Sequence, residues 1–278
     1  MRSEGKPRLV VSDVDGTLFD RKDTVTEGLE RLKSLIGSCE IPFTLASGRC
    51  YAGLSWLVEY LDIKLPVIVN NGTGIMEQGR LLWSARIRPE NLREAVRFAD
   101  SCGMFVSLCD AVEEKVYRHN AYVQSYIDRF GKSYSYLLPP DGELSCEAWN
   151  RMDIQKLLVI DPQSPGRIDQ VIGRLGGGSE ALSIVRYDSR SMDVMPGGCS
   201  KMAGVKRLAA LLGIDPADIM AVGDNENDIG MLDLVGTAVA VQNATDGLKP
   251  HADLVCKGEC AAGVAEAVET YFVNRAKV

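Results

Sequence analysis

Short apolar runs alternate with helix-length amphipathic segments at both ends of the chain, and this alternation restricts the fold more than any other feature. Leu9-Val10-Val11-Ser12 reads as a buried strand, residues 24–36 as a helix, residues 42–46 as a second strand, 51–61 as a helix and 66–69 as a third strand. Thr24 and Glu27 fit a capping box at the first helix, with Leu29, Leu32, Lys33 and Ile36 on one face. A β-α-β-α-β order implies a parallel sheet with right-handed crossovers. The same grammar returns late in the chain. Residues 202–212 read as a helix closed by Gly213, 219–222 as a strand, 228–234 as a short helix, 238–241 as a strand and 263–273 as a final helix.

The middle reads differently. Strand-like runs at 104–108, 154–160 and 182–187 mix with helical stretches at 89–101, 120–130 and 165–175. Proline and glycine punctuate it at residues 139–142 and at Gly176-Gly177-Gly178, the latter read as a helix-ending turn. This pattern describes a second α+β domain inserted into the first.

Composition removes several classes of function. The chain has 278 residues, with 31 Lys+Arg against 38 Asp+Glu. Its net charge of −7, with no basic run longer than Arg21-Lys22 or Lys206-Arg207, argues against nucleic acid as a partner. The longest uncharged stretches, residues 65–76 and 234–245, are 12 residues each, short of the roughly 18 that a membrane span needs. The first residues lack the apolar segment of a signal peptide, so the expected location is cytoplasmic. Eight scattered cysteines without a CxxC pair read as reduced, mostly buried thiols. With only His119 and His251, histidine relays and histidine-rich metal sites are not expected. No oligomeric signature is present, so the expectation is a monomer or weak homodimer.

The chemistry sits where strands end. The first strand runs into Asp13-Val14-Asp15-Gly16-Thr17-Leu18. In an open parallel sheet, ligands bind beyond the carboxyl ends of the strands. Two aspartates two residues apart on extended chain project to the same side, and Gly16 permits a sharp turn. The second strand ends in Ala46-Ser47-Gly48-Arg49, where Ser47 offers either a hydroxyl and amide to a phosphoryl oxygen or an ordinary helix cap. The third ends in Asn70-Asn71-Gly72-Thr73-Gly74, by itself a turn. Lys201 opens a helix after Met195-Pro196-Gly197-Gly198-Cys199-Ser200, and a later strand ends in Gly223-Asp224-Asn225-Glu226-Asn227-Asp228. That last loop lacks the spacing and distal Glu of an EF-hand. Together Asp13, Asp15, Asp224 and Asp228 place four carboxylates on one sheet edge, an arrangement that a cation must neutralise. Oxygen-only ligands beside a phosphate site point to Mg²⁺.

These residues, DVDGTL at 13–18, LASGR at 45–49, Lys201 and GDNEND at 223–228, resemble the haloacid dehalogenase superfamily. VAVQNATDGLKPHAD at 239–253 and the inserted domain resemble its Cof-like phosphatases with a class IIB cap. The resemblance implies an α/β fold: a Rossmann-like doubly wound parallel core of residues 1–83 and 191–278, with an inserted α+β cap at 84–190 that sets the substrate. It implies an Mg²⁺-dependent phosphatase acting on small phosphorylated metabolites, with sugar phosphates, phosphorylated cofactors and pyridoxal phosphate all open. Asp13 would be the nucleophile and Asp15 the general acid and base. Ser47, Gly48, Lys201 and Asn225 would bind phosphate. The metal would be held by the Asp13 and Asp224 side chains, the Asp15 main-chain carbonyl, and Asp228 directly or through water. Asn70, Gly72 and Asn227 would lie near the leaving group or fix the loop. In the cap, Arg118, His119, Arg186 and Tyr187 are the candidates to meet a polar leaving group. A hexose phosphomutase or phosphotransferase of the same superfamily and a non-catalytic phosphometabolite sensor are the alternatives. Cys256 and Cys260 replace the acidic and Asn residues usual before the last helix.

Overall fold

The computed structural model describes residues 7–20, 24–130, 134–139, 141–164, 166–178 and 181–274. The Arg21-Lys22 pair, Pro140 and Pro165 lie outside the described residues. The described chain forms two compact units, one from residues 1–49, 53–83 and 200–278, the other from 50–52 and 84–199.

The elements follow in chain order: β1 (Leu9–Ser12), α1 (Glu27–Ser38), β2 (Phe43–Leu45), α2 (Ser55–Tyr60), β3 (Val67–Val69), β4 (Gly74–Glu77) and β5 (Arg80–Ser84). Then come α3 (Arg93–Ser101), β6 (Phe105–Cys109), β7 (Glu114–Arg118), α4 (Ala121–Phe130), β8 (Ser135–Leu138), α5 (Cys146–Asn150), β9 (Lys156–Ile160), α6 (Arg167–Ile172), β10 (Leu182–Arg186) and β11 (Ser191–Pro196). The chain closes with α7 (Lys201–Leu212), β12 (Ile219–Gly223), α8 (Ile229–Leu234), β13 (Thr237–Ala240), β14 (Leu254–Val255) and α9 (Cys260–Val268).

In the first unit, five strands form a sheet in the order β14-β13-β12-β1-β2, and every neighbouring pair is parallel. Val10 lies opposite Met220 on one side and Phe43 on the other. β1, β2, β12 and β13 are buried throughout, as expected of parallel strands covered on both faces. The connection reverses direction between β1 and β12, which makes their carboxyl ends a topological switch point, the usual place for a ligand in such sheets. The third expected strand departs from this. β3 touches β2 through one parallel bridge, Ala46 with Ile68, and otherwise belongs to a small sheet with β4 and β5.

The second unit holds a six-stranded sheet in the order β10-β11-β9-β6-β7-β8, antiparallel except for the β7–β8 pair. Val106, Leu108, Leu157, Val159, Met192 and Val194 bury one of its faces with Val96 and Ala99 of α3 and Ile168 and Val171 of α6. Phe105, Val116 and Val123 of α4 form a smaller cluster. This corrects the expected boundary at residue 191. Ser191–Pro196 form β11, which pairs with β10 and β9, so the second unit continues to Cys199.

Other differences are local. Thr26, not Thr24, caps α1, its hydroxyl accepting the Leu29 N–H at 3.3 Å. The helix expected at 51–61 is a 3₁₀ turn, Tyr51–Gly53, followed by α2. α9 ends at Val268 and passes into a π-helical segment, Glu269–Asn274. Gly176-Gly177-Gly178 follow the end of α6 by several residues, and Gly176 and Gly177 pack on Asn91, whose carbonyl accepts the Gly176 N–H at 2.8 Å. No disulfide links the eight cysteines; only Cys50, Cys109, Cys199 and Cys256 are buried, and Cys39 and Cys146 are exposed. No described helix is long and apolar enough to cross a membrane.

Candidate active site

The carboxyl ends of β1 and β12 bring three of the four expected carboxylates together. Asp13, Asp224 and Asp228 each offer an oxygen within 4.8 Å of the others. Lys201, the first residue of α7, reaches into the same place and is only 2% exposed. Its ammonium donates to Asp13 Oδ1 at 2.6 Å and to Asp228 Oδ1 at 2.7 Å. A cation at a helix N-terminus opposes the helix dipole; the two buried carboxylates make the position favourable. Ser200 caps α7, its hydroxyl accepting the Ala203 N–H at 3.2 Å, which fixes the helix start from which Lys201 projects.

Thr17 joins the two acidic loops. Its buried hydroxyl donates to Asp224 Oδ1 at 2.7 Å and lies 3.3 Å from Asp13 Oδ2. The Asp224 loop is organised by Asp228, whose Oδ2 accepts the Asp224 N–H at 3.1 Å and the Asn225 N–H at 3.3 Å. Asn225 and Asp228 form a reciprocal capping box around the 3₁₀ turn Glu226–Asp228, and Asn227 sits half-buried in that turn. Gly16, at φ +89°, is required twice over: a Cβ there would stand 2.1 Å from Asp224 Oδ2.

The electrostatics follow from burial. Burial pushes the Asp13 carboxyl well above the usual carboxylate range, with Asp228, Asp224 and Asp15 adding to the rise and Lys201 opposing it. Burial also raises Asp224, against the Thr17 hydrogen bond, with Asp228 adding to the rise. For Lys201 burial pulls the other way, and the Asp13 and Asp228 charges outweigh it, so the ammonium stays charged. One lysine among three carboxylates leaves a net negative, oxygen-only pocket, and this donor set fits a hard divalent cation.

Asp15 behaves differently from Asp13. Its side chain is 54% exposed and is gripped by Arg49, whose Nε lies 3.2 and 3.0 Å from the two carboxylate oxygens and whose Nη2 lies 2.5 Å from Oδ1. Such a fork sets two charge-assisted hydrogen bonds in a fixed geometry. Ser47 is fully buried. Its amide, expected to be offered to a ligand, is instead donated to the Ile68 carbonyl at 3.0 Å. Its hydroxyl accepts the Arg49 N–H at 3.1 Å and keeps its own proton to donate.

Asn70 and Asn71 adopt left-handed conformations at φ +49° and +55°, and their amides donate to the carbonyls of Arg49 and Ser47 at 2.9 and 2.8 Å. Gly48 packs on the Asn71 side chain. Gly72, at φ +93°, lies so close to α7 that a Cβ would stand 2.0 Å from the Ser200 carbonyl oxygen. Gly72→Ala is therefore expected to displace the start of α7 and to cost at least about 2 kcal/mol of stability. Gly37→Ala, in α1 with nothing within 4 Å of the added carbon, should be neutral or stabilising by up to about 1 kcal/mol. Urea unfolding of the two variants checks the contrast; equal midpoints would contradict it.

In the second unit, the polar residues expected to meet a leaving group have partners of their own. Arg118 binds Asp100 and the carbonyls of Pro139 and Gly142. Arg186 pairs with Asp169, Tyr187 donates to Asp193 Oδ2 at 2.7 Å, and His119 Nε2 lies 3.0 Å from Gln124 Oε1. Sequence reasoning passed over Arg49 and Thr17, although both stand inside motifs it had singled out.

Comparison with known proteins places this geometry. A family model described as haloacid dehalogenase-like hydrolase matches residues 10–268. A phosphoglycolate phosphatase of Methanoculleus marisnigri is 28% identical over 267 residues, covering 95% of this chain and 97% of that protein. A Bacillus subtilis protein named 5-amino-6-(5-phospho-D-ribitylamino)uracil phosphatase YwtE is 24% identical over 310 residues, covering 96% and 97%. Among solved structures, the subclass IIB sugar phosphatase BT4131 superposes with a TM-score of 0.76 over 95% of this chain and 98% of that one, at 20% identity. Since the match runs through both halves of the parallel core and the segment inserted between them, this chain belongs to the haloacid dehalogenase-like hydrolases.

Proposed function

We propose that this phosphatase hydrolyses monoesters of small phosphorylated metabolites, sugar phosphates or phosphorylated cofactors, through an aspartyl-phosphate on Asp13, in a cytoplasmic setting. The observation that carries the reading is the buried Asp13 carboxylate, held between Lys201 and Thr17 at the end of β1. Held there, one oxygen can meet phosphorus in line. Lys201, Ser47 and Asn225 then face the transferring group, with Gly48 allowing close approach.

Asp13 attacks phosphorus, the ester P–O bond breaks, and the proton of the Asp15 carboxyl passes to the leaving oxygen. Water then attacks the aspartyl-phosphate, its proton returns to Asp15, and the P–O bond to Asp13 breaks to release inorganic phosphate. Arg49 pairs with the Asp15 carboxylate that takes the proton in the second half; delivery of the proton in the first half requires that this pair loosen. Asp13, Asp224, Asp228 and the Asp15 main-chain carbonyl would hold Mg²⁺. When bound, Mg²⁺ supplies the positive charge that offsets repulsion between the phosphate dianion and the carboxylates. The second unit, residues 84–199 with 50–52, would serve as the cap that selects the leaving group, and Asn70, Gly72 and Asn227 would fix the loops of the core.

Chelation by EDTA is expected to lower phosphate release from p-nitrophenyl phosphate by about 100-fold or more, and added Mg²⁺ should restore it. Turnover that EDTA leaves unchanged would overturn the metal assignment.

A further inference from the structure

We infer that Asn243, on the turn after β13, is a positioning residue that holds the Asp15–Thr17 segment in its reactive geometry; the inference rests on the phosphatase reading above. Its side-chain Nδ2 donates to the Gly16 carbonyl at 2.7 Å, 227 residues away in sequence. Its Oδ1 accepts the N–H of Cys260, the first residue of α9, at 2.8 Å. Cys260 adopts φ +46°, a conformation uncommon for a side-chain-bearing residue, and its thiol lies 3.6 Å from the same Gly16 carbonyl. Burial raises that thiol to about 11, so at neutral pH it is a neutral, weak donor. The same turn reaches the second acidic loop: the Thr245 N–H donates to the Asp224 carbonyl at 2.8 Å.

The geometry explains why an amide stands here. One group must donate to a carbonyl and accept from an N–H, and a carboxamide carries both functions side by side on one short planar end. Because the peptide is planar and trans, turning the Gly16 carbonyl toward Asn243 turns the Thr17 N–H the opposite way. That peptide lies between Asp15, which moves the proton, and Thr17, whose hydroxyl contacts both Asp13 and Asp224. Holding it therefore sets two reacting carboxylates at once. Gly16 has no side chain to resist rotation; within the loop its N–H donates to the Phe19 carbonyl at 2.7 Å, and Asn243 supplies the restraint on its carbonyl from outside.

The test compares Asn243→Ala, Asn243→Asp and Cys260→Ala with the parent in the Mg²⁺-containing p-nitrophenyl phosphate assay, recording kcat, KM and the thermal midpoint. Asn243→Asp still accepts the Cys260 N–H; it shares with Asn243→Ala only the loss of the donor to Gly16. Both should lower kcat by about 10- to 100-fold with KM within about threefold, as expected when reacting groups are misplaced rather than binding lost. Cys260→Ala should stay within about threefold of the parent, because its thiol contact is weak. If Asn243→Asp keeps a kcat within threefold of the parent, the side chain serves only to anchor α9 and the inference fails. It also fails if the losses lie in KM alone, or if Cys260→Ala falls as far as Asn243→Ala. A parent with no phosphate release, or one whose Asp13→Asn variant is equally active, instead sinks the phosphatase reading, and the inference with it.

Discussion

Asp13→Asn is expected to lower kcat by at least about 10⁴-fold while leaving the protein as stable as the parent or more so. The loss follows from the nucleophile's role: an amide oxygen is far less nucleophilic than a carboxylate, and groups that act as one unit fail together. The stability follows from the sign of the shift at Asp13. Burial and the charges of Asp228, Asp224 and Asp15 raise its folded-state pKa well above the unfolded value, despite Lys201. A raised carboxyl contributes stability that is fully present below the unfolded pKa of about 3.9 and is lost as pH rises through the folded pKa. As pH rises Asp13 therefore costs stability that it does not cost in acid, and a neutral isostere removes that cost. Site geometry is kept at the expense of stability, a trade-off common at active sites. Thermal unfolding at pH 7 in metal-free buffer checks this, and a variant that melts well below the parent would contradict it.

Lys201→Met should be damaging in both respects. Asp13 and Asp228 are 3% and 0% exposed, and Lys201 donates to both. Methionine matches much of the volume but leaves two buried carboxylates without their cation. Removing one partner from a buried ion pair costs about 3–5 kcal/mol. Activity should fall by about 10³-fold or more, because the same ammonium must balance charge as the phosphoryl group transfers. Lys64 provides the contrast: it pairs with Asp62 at 2.5 Å, but the two side chains are 69% and 75% exposed. Lys64→Met should change stability by less than about 1 kcal/mol. Urea midpoints for the two variants measure the difference; equal shifts would mean that burial does not govern the Lys201 cluster.

What could be read from residue order alone follows a physical divide. The parallel strands were legible because both faces are buried, which leaves uninterrupted runs such as Leu9-Val10-Val11 and Ile219-Met220-Ala221-Val222. The acidic site was legible because strands of such a sheet deliver their carboxyl ends to one edge, so residues far apart in the chain can be placed together without tertiary knowledge. Arg49 and Asn243 were not legible, because each acts through a partner 34 or 227 residues away, chosen by the fold. The boundary near residue 191 was misread for a related reason. Met192, Val194 and Met195 look like a lead-in to Lys201, yet the strands that pair with them, β10 and β9, belong to the second unit. β7 and β8 escaped notice because half-exposed strands carrying Glu114, Lys115, Ser135 and Tyr136 lack a continuous apolar run. The buried Lys156–Asp193 pair, at 3.4 Å in the second unit, was equally hidden, since charged residues are ordinarily assigned to the surface.

The central claim is that phosphorus is transferred to Asp13, and trapping that adduct tests it most directly. Parent protein with Mg²⁺ and a phosphorylated substrate would be quenched in acid during turnover, reduced with borohydride and digested for mass spectrometry. An acyl phosphate on Asp13 is reduced to the alcohol, so the account predicts homoserine at position 13, absent when substrate is omitted. Turnover with Asp13 unmodified, and the reduced residue found at Asp15, Asp224 or nowhere, would contradict it.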